Sequence, residues 1–284
     1  MQAHNIPEVD SHSNQTLWGA PISEPTYRIP DGEIVCCDAL DLLNAMRDET
    51  ADIVFLDPPF NLGKKYGEKG KKADSLEESE YWDFMVQILE RSMDVLKPGG
   101  ALYLYHLPRW AFQFSNLLHQ RLLFRHWIAV SMKNGFARGQ LLYPAHYALL
   151  YFTKGPPKAF TRPKIAPSRC RHCNEYIKDY GGYKQYIENG INISDVCDDL
   201  SPVRHSKYKT CGSNELPMEL PRRVVEISGM PGGIFVDPFA GSGTTLLAAR
   251  ERGMLFVASD DDKQNCDLMS QRLADTVASP CCQH

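Results

Sequence analysis

Two apolar strands separated by a glycine turn and a helix constrain the fold more than any other part of the chain. Residues 233–237 are predicted to form a buried strand, Gly241-Ser242-Gly243 a turn, and Thr244-Thr245 the start of a run of helix formers. A second predicted strand, residues 254–258, leads to Asp260, about 20 residues beyond the glycines. Strand, helix and strand in this order predict an α/β fold with a parallel sheet.

The same unit has the features of a ligand site. A glycine turn ahead of a helix lets backbone N–H groups approach a nucleotide-like ligand, and Rossmann-type folds place a ribose-binding acid at the end of the next strand. Each feature alone has a plain structural explanation, because such a turn also serves as a connection and such an acid as a helix N-cap. The candidate binding residues are Asp237, Pro238, Phe239, Ala240, Gly241, Ser242, Gly243, Thr244, Thr245 and Asp260.

A second motif, Asp57-Pro58-Pro59-Phe60, follows the apolar run 53–56. It places a hydrogen-bond acceptor, backbone carbonyls on a stiff chain and a stacking face together at one sheet edge. This set suits a planar base with an exocyclic amine, whose lone pair is delocalised until Asp57 and the Pro58 carbonyl draw on its protons. The motif therefore indicates direct transfer to an amine, with no covalent intermediate.

The two motifs together resemble those of the S-adenosylmethionine-dependent amino-methyltransferases that act on DNA. Residues 57–60 precede residues 237–245, which is the permuted order called the beta class, and the resemblance covers roughly residues 32–275. It implies a Rossmann-like, seven-stranded, mostly parallel sheet with helices on both faces, a circularly permuted class I methyltransferase. Asp in the first catalytic position is typical of adenine-N6 enzymes, whereas cytosine-N4 enzymes commonly carry Ser.

The resemblance also assigns roles to single residues. Asp57, Pro58, Pro59 and Phe60 become the catalytic residues, with Asp57 also next to the S-adenosylmethionine cofactor.

Further cofactor contacts are implied at three places. Asp38, which follows the strand 33–37, would lie near the cofactor's adenine, and Pro217 would help to hold its methionine part. Many relatives carry Lys before that proline, where this chain has Leu216. The methionine carboxylate is therefore expected to bind backbone N–H groups or the hydroxyls of Thr244 and Thr245.

The order of elements supports a doubly wound sheet with an inserted, loop-rich target-recognition region. Strands are predicted near 33–37, 52–56, 101–106, 127–131, 146–152, 233–237 and 254–258, with the fourth and fifth as an antiparallel edge hairpin. Helices are predicted near 78–96, 109–122, 217–228, 244–252 and 261–276. The expected divisions are an arm (1–31), a catalytic half (32–153), the target-recognition insertion (154–215), a cofactor half (216–278) and a tail (279–284).

Charge distribution favours DNA as a partner although the net charge is −4. Residues 95–174 contain twelve Lys and Arg and no Asp or Glu, which predicts a basic face unless folding scatters these residues. A Gly- and Lys-rich segment, 61–79, is predicted to be a lid over DNA, with a solvated loop as the alternative. The candidate DNA-binding residues are Lys64, Lys65, Tyr66, Lys158, Arg162, Lys164, Arg204, His205, Lys207 and Lys209.

The nine cysteines indicate a reducing compartment rather than a disulfide framework. Cys170 and Cys173 have the spacing of half a structural zinc site, but the completing candidates Cys197, Cys211 and His205 match no regular finger, and reduced cysteines in a loop are the alternative. The chain has no apolar run of about 18 residues and no apolar segment at its polar amino end, so we expect a cytoplasmic protein without a membrane partner.

The function expected from these features is site-specific DNA adenine-N6 methylation. Cytosine-N4 methylation, RNA adenine-N6 methylation and an inactive DNA-binding module are the alternatives. RNA enzymes usually carry Trp after the two prolines, where this chain has Phe60. A homodimer and a restriction endonuclease partner are left open by the resemblance.

Overall fold

The structure is a computed structural model that describes residues 17–22, 26–62, 76–131, 140, 142–170, 172–178, 181–200 and 215–278. The strands are β1 (Thr26–Ile29), β2 (Gly32–Val35), β3 (Ala51–Leu56), β4 (Leu96–His106), β5 (Leu123–Ser131), β6 (His146–Thr153), β7 (Lys164–Ile165), β8 (Ile191–Asn192), β9 (Val196–Cys197), β10 (Ile234–Asp237) and β11 (Leu255–Ser259). The helices are α1 (Ala39–Ala45), α2 (Glu78–Val95), α3 (Pro108–His119), α4 (Glu219–Ser228), α5 (Thr244–Glu251) and α6 (Lys263–Ala278), with a 3-10 helix at Gly181–Asn189.

Within these ranges the main sheet has nine strands in the order β1-β2-β11-β10-β3-β4-β6-β5-β9. The five strands from β2 to β4 are parallel, so their carboxyl ends lie together at one edge, called here the carboxyl edge, opposite the amino edge. β6 is antiparallel to both β4 and β5, which confirms the predicted hairpin. β7 and β8 form a separate antiparallel pair.

Helices cover both faces of the sheet, as predicted. Side chains of β3 alternate between the two cores: Val54 and Leu56 pack with α1, α2 and α3, whereas Ile53 and Phe55 pack with α4, α5 and α6. All six residues of β3 are buried, since a central parallel strand is covered on both faces. The sheet therefore places the segment after β3 in the middle of the carboxyl edge.

The seven predicted strands are all present, and two short edge strands extend them. β1 pairs with β2 in an antiparallel ladder, and Leu17 is buried in the core. β9 is two residues long and exists because it pairs with β5. Helix α1 was also not predicted; it is seven residues long and is capped by Asp38.

The segment between β6 and β9 begins at the amino edge of the sheet and ends in a strand that runs toward the carboxyl edge. It leaves β6 at the amino edge, where the N–H of Lys158 donates to Gly99 O (2.9 Å) and that of Thr161 to Ile227 O (2.8 Å). It returns in β9, which runs parallel to β5 toward the carboxyl edge. Among the described helices, none is long and apolar enough to cross a membrane.

Candidate active site

Four acids stand at or just beyond the ends of neighbouring parallel strands. Asp237 ends β10, whereas Asp57, Asp260 and Asp38 follow β3, β11 and β2. Because these strands are adjacent in the sheet, the carboxyl edge brings the Asp-Pro-Pro-Phe motif next to the glycine turn. The two motifs, 180 residues apart in the chain, thus lie side by side at one edge of the sheet, the place where open α/β sheets bind ligands.

Asp237 forms hydrogen bonds with residues on both sides of the glycine turn. Its carboxylate is buried and accepts hydrogen bonds from the Phe239 N–H (3.0 Å) and the Thr245 hydroxyl (2.5 Å). Burial raises the pKa of Asp237 to about 7, although both hydrogen bonds oppose this shift. The Thr245 hydroxyl, expected to bind the methionine carboxylate, is therefore already committed to a carboxylate.

Asp260 holds the turn from the neighbouring strand. It accepts from the Gly241 N–H (3.1 Å), the Asp262 N–H (2.9 Å) and the Asn265 side chain (3.0 Å). Burial raises the pKa of Asp260 to about 6. Each carboxylate oxygen has two lone pairs, so these bonds leave acceptor capacity for a ribose hydroxyl.

The structure requires glycine at the two positions of the turn to different degrees. Gly243 has φ +77° and a Cβ there would lie 2.8 Å from Cγ of Met269, so the close approach of α6 requires glycine. Gly241 has φ +53° and a Cβ there would meet nothing within 4 Å. Gly241 therefore borders open space at the turn, whereas Gly243 borders packed protein.

A buried network behind the turn was missed by the sequence reasoning. Glu215 Oε1 accepts from the hydroxyls of Ser242 (3.0 Å) and Thr244 (3.4 Å) and from Arg272 Nη1 (3.2 Å). Arg272 also donates to Ser242 O (2.6 Å). Both threonine hydroxyls thus donate to carboxylates, which leaves backbone N–H groups as the expected partners of the methionine carboxylate. In the sequence, the one indication that Glu215 supports the turn is its position two residues before Pro217.

The Asp-Pro-Pro-Phe motif lies against an aromatic wall that we define as Phe60, Tyr105 and Tyr147. The Phe60 ring centroid lies 6.0 Å from that of Tyr105 and 5.6 Å from that of Tyr147. Burial, and then the charge of Asp57, raise the pKa of both tyrosines. Tyr105 and Tyr147 were missed because they come together only when β4 and β6 pair.

The carboxyl of Asp57 is electrostatically unfavourable in this environment. Burial and the neighbouring charge of Asp237 raise its pKa well above the usual range. Within the described part of the chain, its oxygens have no hydrogen-bond partner. Asp57 is only partly buried. A carboxyl that the described fold leaves without a protein partner is a candidate for direct contact with a ligand.

The predicted DNA-binding residues fall into two groups. Lys64, Lys65, Tyr66, Arg204, His205, Lys207 and Lys209 lie outside the described residues. Lys158 pairs with Asp52 (3.7 Å) at the amino edge, opposite Asp57. Arg162 lies over the Phe160 ring (5.9 Å), and Lys164 is in β7.

Cys170 and Cys173 lie in one tight turn, in which the Asn174 N–H donates to Cys170 O (2.9 Å). Backbone N–H groups of Cys173 and His172 lower the pKa of the Cys170 thiol. Across the described ranges, no three His, Cys, Asp or Glu side chains are grouped to hold a metal ion. Cys197 is in β9, and Cys211 and His205 lie outside those ranges, so the structure gives no support for zinc.

Residues 51–271, which contain both motifs, match the family model of the N6/N4 DNA methylases. The chain belongs to this family. The type II methyltransferase M.BamHI of Bacillus amyloliquefaciens is 39% identical over 252 residues, covering 88% of this chain and 59% of that relative. M.HpaI of Haemophilus parainfluenzae is 28% identical over 86% of this chain and 74% of its own length. The chain thus spans about three fifths of the length of M.BamHI.

Solved structures of the family confirm the fold. The cytosine-N4-specific PvuII DNA methyltransferase superposes with a TM-score of 0.61 at 16% identity, over 91% of this chain and 94% of that one. A complex of M1.HpyAVI with S-adenosylmethionine gives 0.53 at 17% identity, over 85% and 99%. A putative DNA modification methylase of Thermus thermophilus, also complexed with S-adenosylmethionine, gives 0.58 at 17%, over 87% and 96%. The Rossmann-like class I fold and the S-adenosylmethionine dependence of the family agree with the expectations from the two motifs.

Proposed function

We propose that this chain transfers a methyl group from S-adenosylmethionine to an exocyclic amino group of a base in DNA, with adenine N6 as the first candidate. The observation that carries the proposal is the placement of Asp57, which has no hydrogen-bond partner among the described residues, directly before Phe60 of the aromatic wall and one strand from the glycine turn. A flat base fits against Phe60, Tyr105 and Tyr147, and its amine can donate to Asp57. Both functions of the site, base and cofactor binding, then meet at β3 and β10.

The residues at the carboxyl edge fit S-adenosylmethionine. Open space at Gly241 admits a ligand, Asp260 retains acceptor capacity for a ribose, and a net negative group of enclosed carboxyls suits a cation. Asp38, whose exposed carboxylate caps α1 through the Leu40 N–H (2.8 Å), and Pro217 are further proposed contacts. When bound, the cofactor supplies a methyl group on an electrophilic sulfonium.

Asp57 orients the amine and then receives its proton. The base amine donates to the Asp57 carboxylate and the Pro58 carbonyl, which keeps its nitrogen lone pair directed at the methyl group. Methylation makes that nitrogen positive, and the carboxylate, whose pKa is raised, is well suited to accept the proton that the nitrogen must lose. The base leaves as a neutral methylated amine, and the proton passes from Asp57 to solvent.

The second candidate function is cytosine-N4 methylation. In adenine and cytosine alike, the exocyclic amine stands next to a ring nitrogen that carries a lone pair, so one carboxyl and one carbonyl serve both bases. What favours adenine is the residue type, because Asp57 stands where cytosine-N4 enzymes commonly carry Ser.

The base must leave the duplex to reach Asp57, since a stacked base cannot offer its amine. Two segments with candidate DNA-binding residues are flanked by described residues at the carboxyl edge. Asn61 Nδ2 donates to Leu76 O (2.9 Å), which joins the two ends that flank residues 63–75. Leu200 follows β9, and Glu215 adjoins the glycine turn. We therefore propose DNA contacts from Lys64, Lys65, Tyr66, Arg204, His205, Lys207 and Lys209 before Lys158, Arg162 and Lys164.

Mass spectrometry of nucleosides tests the proposal. We expect N6-methyladenine in DNA incubated with the purified chain and S-adenosylmethionine, and none with the Asp57→Ala variant. N4-methylcytosine alone would select the second candidate, and product in RNA but not DNA would overturn DNA as the substrate. Absence of every methylated nucleoside, with cofactor bound, would contradict methyl transfer.

Cofactor affinity should rise with pH through the range in which the enclosed acids ionise. Asp260 and Asp237 have pKa values of about 6 and about 7 in the free protein, and a bound cation favours their charged forms. Binding therefore releases protons in this range, and the dissociation constant should fall several-fold between about pH 6 and about pH 8. Calorimetry in buffers of different ionisation enthalpy measures both quantities. An affinity independent of pH, with no proton release, would contradict this linkage.

A further inference from the structure

We propose that Tyr81 and His106 form a hydrogen-bonded relay that positions the Asp-Pro-Pro-Phe motif for methyl transfer. The proposal rests on the function proposed above and adds two positioning residues outside both motifs. Tyr81 is in the first turn of α2, and His106 is the last residue of β4. Both side chains are fully buried, and both lie at the carboxyl edge next to the motif.

The relay has three members in contact. The Tyr81 hydroxyl lies 2.5 Å from the carbonyl oxygen of Pro59 and 2.6 Å from Nε2 of His106. The other ring nitrogen of His106, Nδ1, accepts the N–H of Leu107 (2.7 Å). A backbone carbonyl of the catalytic motif is therefore linked through two buried side chains to the end of β4.

The direction of every hydrogen bond in the relay follows from these contacts. Since Nδ1 accepts, the ring proton is on Nε2, and Nε2–H donates to the Tyr81 oxygen. The hydroxyl proton is then directed at the Pro59 carbonyl, which can only accept. Burial, with a smaller effect of Arg109, lowers the pKa of His106 to about 3, so the ring stays neutral and this direction does not reverse near neutral pH.

Fixing this carbonyl orients the rest of the motif. The rings of Pro58 and Pro59 already restrict φ at both residues, so a bond that holds the Pro59 carbonyl removes much of the remaining freedom. The peptide plane it holds leads directly into Phe60, and the His106 ring packs on Phe60 with centroids 4.9 Å apart. The relay thus sets both the stacking ring and the carbonyl of Pro58 that the amine must meet.

If Tyr81 and His106 had a purely structural role, their substitution would lower the stability of the protein without a specific effect on the methylation rate. Tyr103 offers a matched control, because it is equally buried, lies in β4 like His106, and its hydroxyl forms a hydrogen bond with Ser228 Oγ (2.7 Å). Ser228 ends α4 at the amino edge, away from the motif. Tyr81→Phe and Tyr103→Phe thus delete the same buried group in two places.

The test compares single-turnover methylation rates, cofactor dissociation constants and melting temperatures of the two variants. We expect both to melt a few degrees lower, with cofactor affinity within about twofold of wild type, and only Tyr81→Phe to lose methylation rate, by at least about tenfold. His106→Gln, which keeps an N–H donor for Tyr81, should retain more of the rate than His106→Phe, which keeps the ring packing alone.

Equal rates in Tyr81→Phe and wild type would overturn the relay while leaving the proposed function intact. Equal rate losses in Tyr81→Phe and Tyr103→Phe would also overturn it, because stability would then explain both. A wild-type chain that binds cofactor and methylates nothing would instead overturn the proposed function, and the relay with it.

Discussion

Replacing Asp57 with Ala should reduce the rate of methyl transfer by about 10²-fold to 10⁴-fold. A positioned general acid or base usually contributes a factor of this size. The amine loses both its orienting acceptor and the group that takes its proton. Cofactor affinity should stay within a few-fold of wild type, because the glycine turn is held by Asp237 and Asp260 rather than by Asp57. Single-turnover assays with saturating cofactor and DNA measure the first quantity, and calorimetry the second.

The same substitution should leave the free protein at least as stable at neutral pH. The pKa of Asp57 is raised in the folded state, so the folded protein binds more protons than the unfolded chain above the normal carboxyl pKa. Ionised Asp57 therefore lowers the free energy of unfolding, and its removal relieves this effect. An inactive variant with an unchanged or higher melting temperature is the expected result.

Asp52 provides the matched control on the same strand. Its carboxylate binds Lys97 (2.6 Å) and the Ile234 N–H (2.9 Å) at the amino edge, away from the motif. Asp52→Ala should lower the melting temperature and leave the rate of the remaining folded protein near that of wild type. If Asp57→Ala retained most of its rate, or if Asp52→Ala lost as much, the assignment of Asp57 would be wrong.

Cofactor binding should be lost when the open space at Gly241 is filled. Asn tolerates the positive φ of this position better than other side chains, and nothing packed lies within 4 Å of its Cβ, so Gly241→Asn should fold. Its side chain then occupies the space that we assign to the cofactor. We expect the dissociation constant to rise by at least about 10²-fold, equivalent to about 2.7 kcal/mol.

Gly232 is the control for this substitution. It also has a positive φ, +74°, and a Cβ there would meet nothing within 4 Å, but it precedes β10 at the amino edge. Gly232→Asn should therefore bind cofactor like wild type. A substitution at Gly243 would be less informative, because its Cβ would strike Met269 and disturb the packing of α6. Normal cofactor affinity in Gly241→Asn would remove this space from the site.

Much of the fold could be read from local patterns. Apolar runs that end in acids, with helix formers between them, marked β3, β10 and β11, because central parallel strands are buried on both faces and need uninterrupted apolar residues. Short edge elements escaped such reasoning. β9 has two residues, and its strand conformation depends on pairing with β5, which no local pattern encodes.

The sequence by itself determined the chemistry of the chain: an acid, two prolines and an aromatic ring at one strand end, and a glycine turn at another. The chemical properties of these residues can be read from the sequence, because a carboxylate, a fixed φ and a missing Cβ are properties of single residues. Only the tertiary structure decided which other groups serve that chemistry. Tyr147, Tyr81 and Glu215 reach the site because strand order and helix packing bring distant segments to one edge, and contacts of that kind leave no periodic trace in a single sequence.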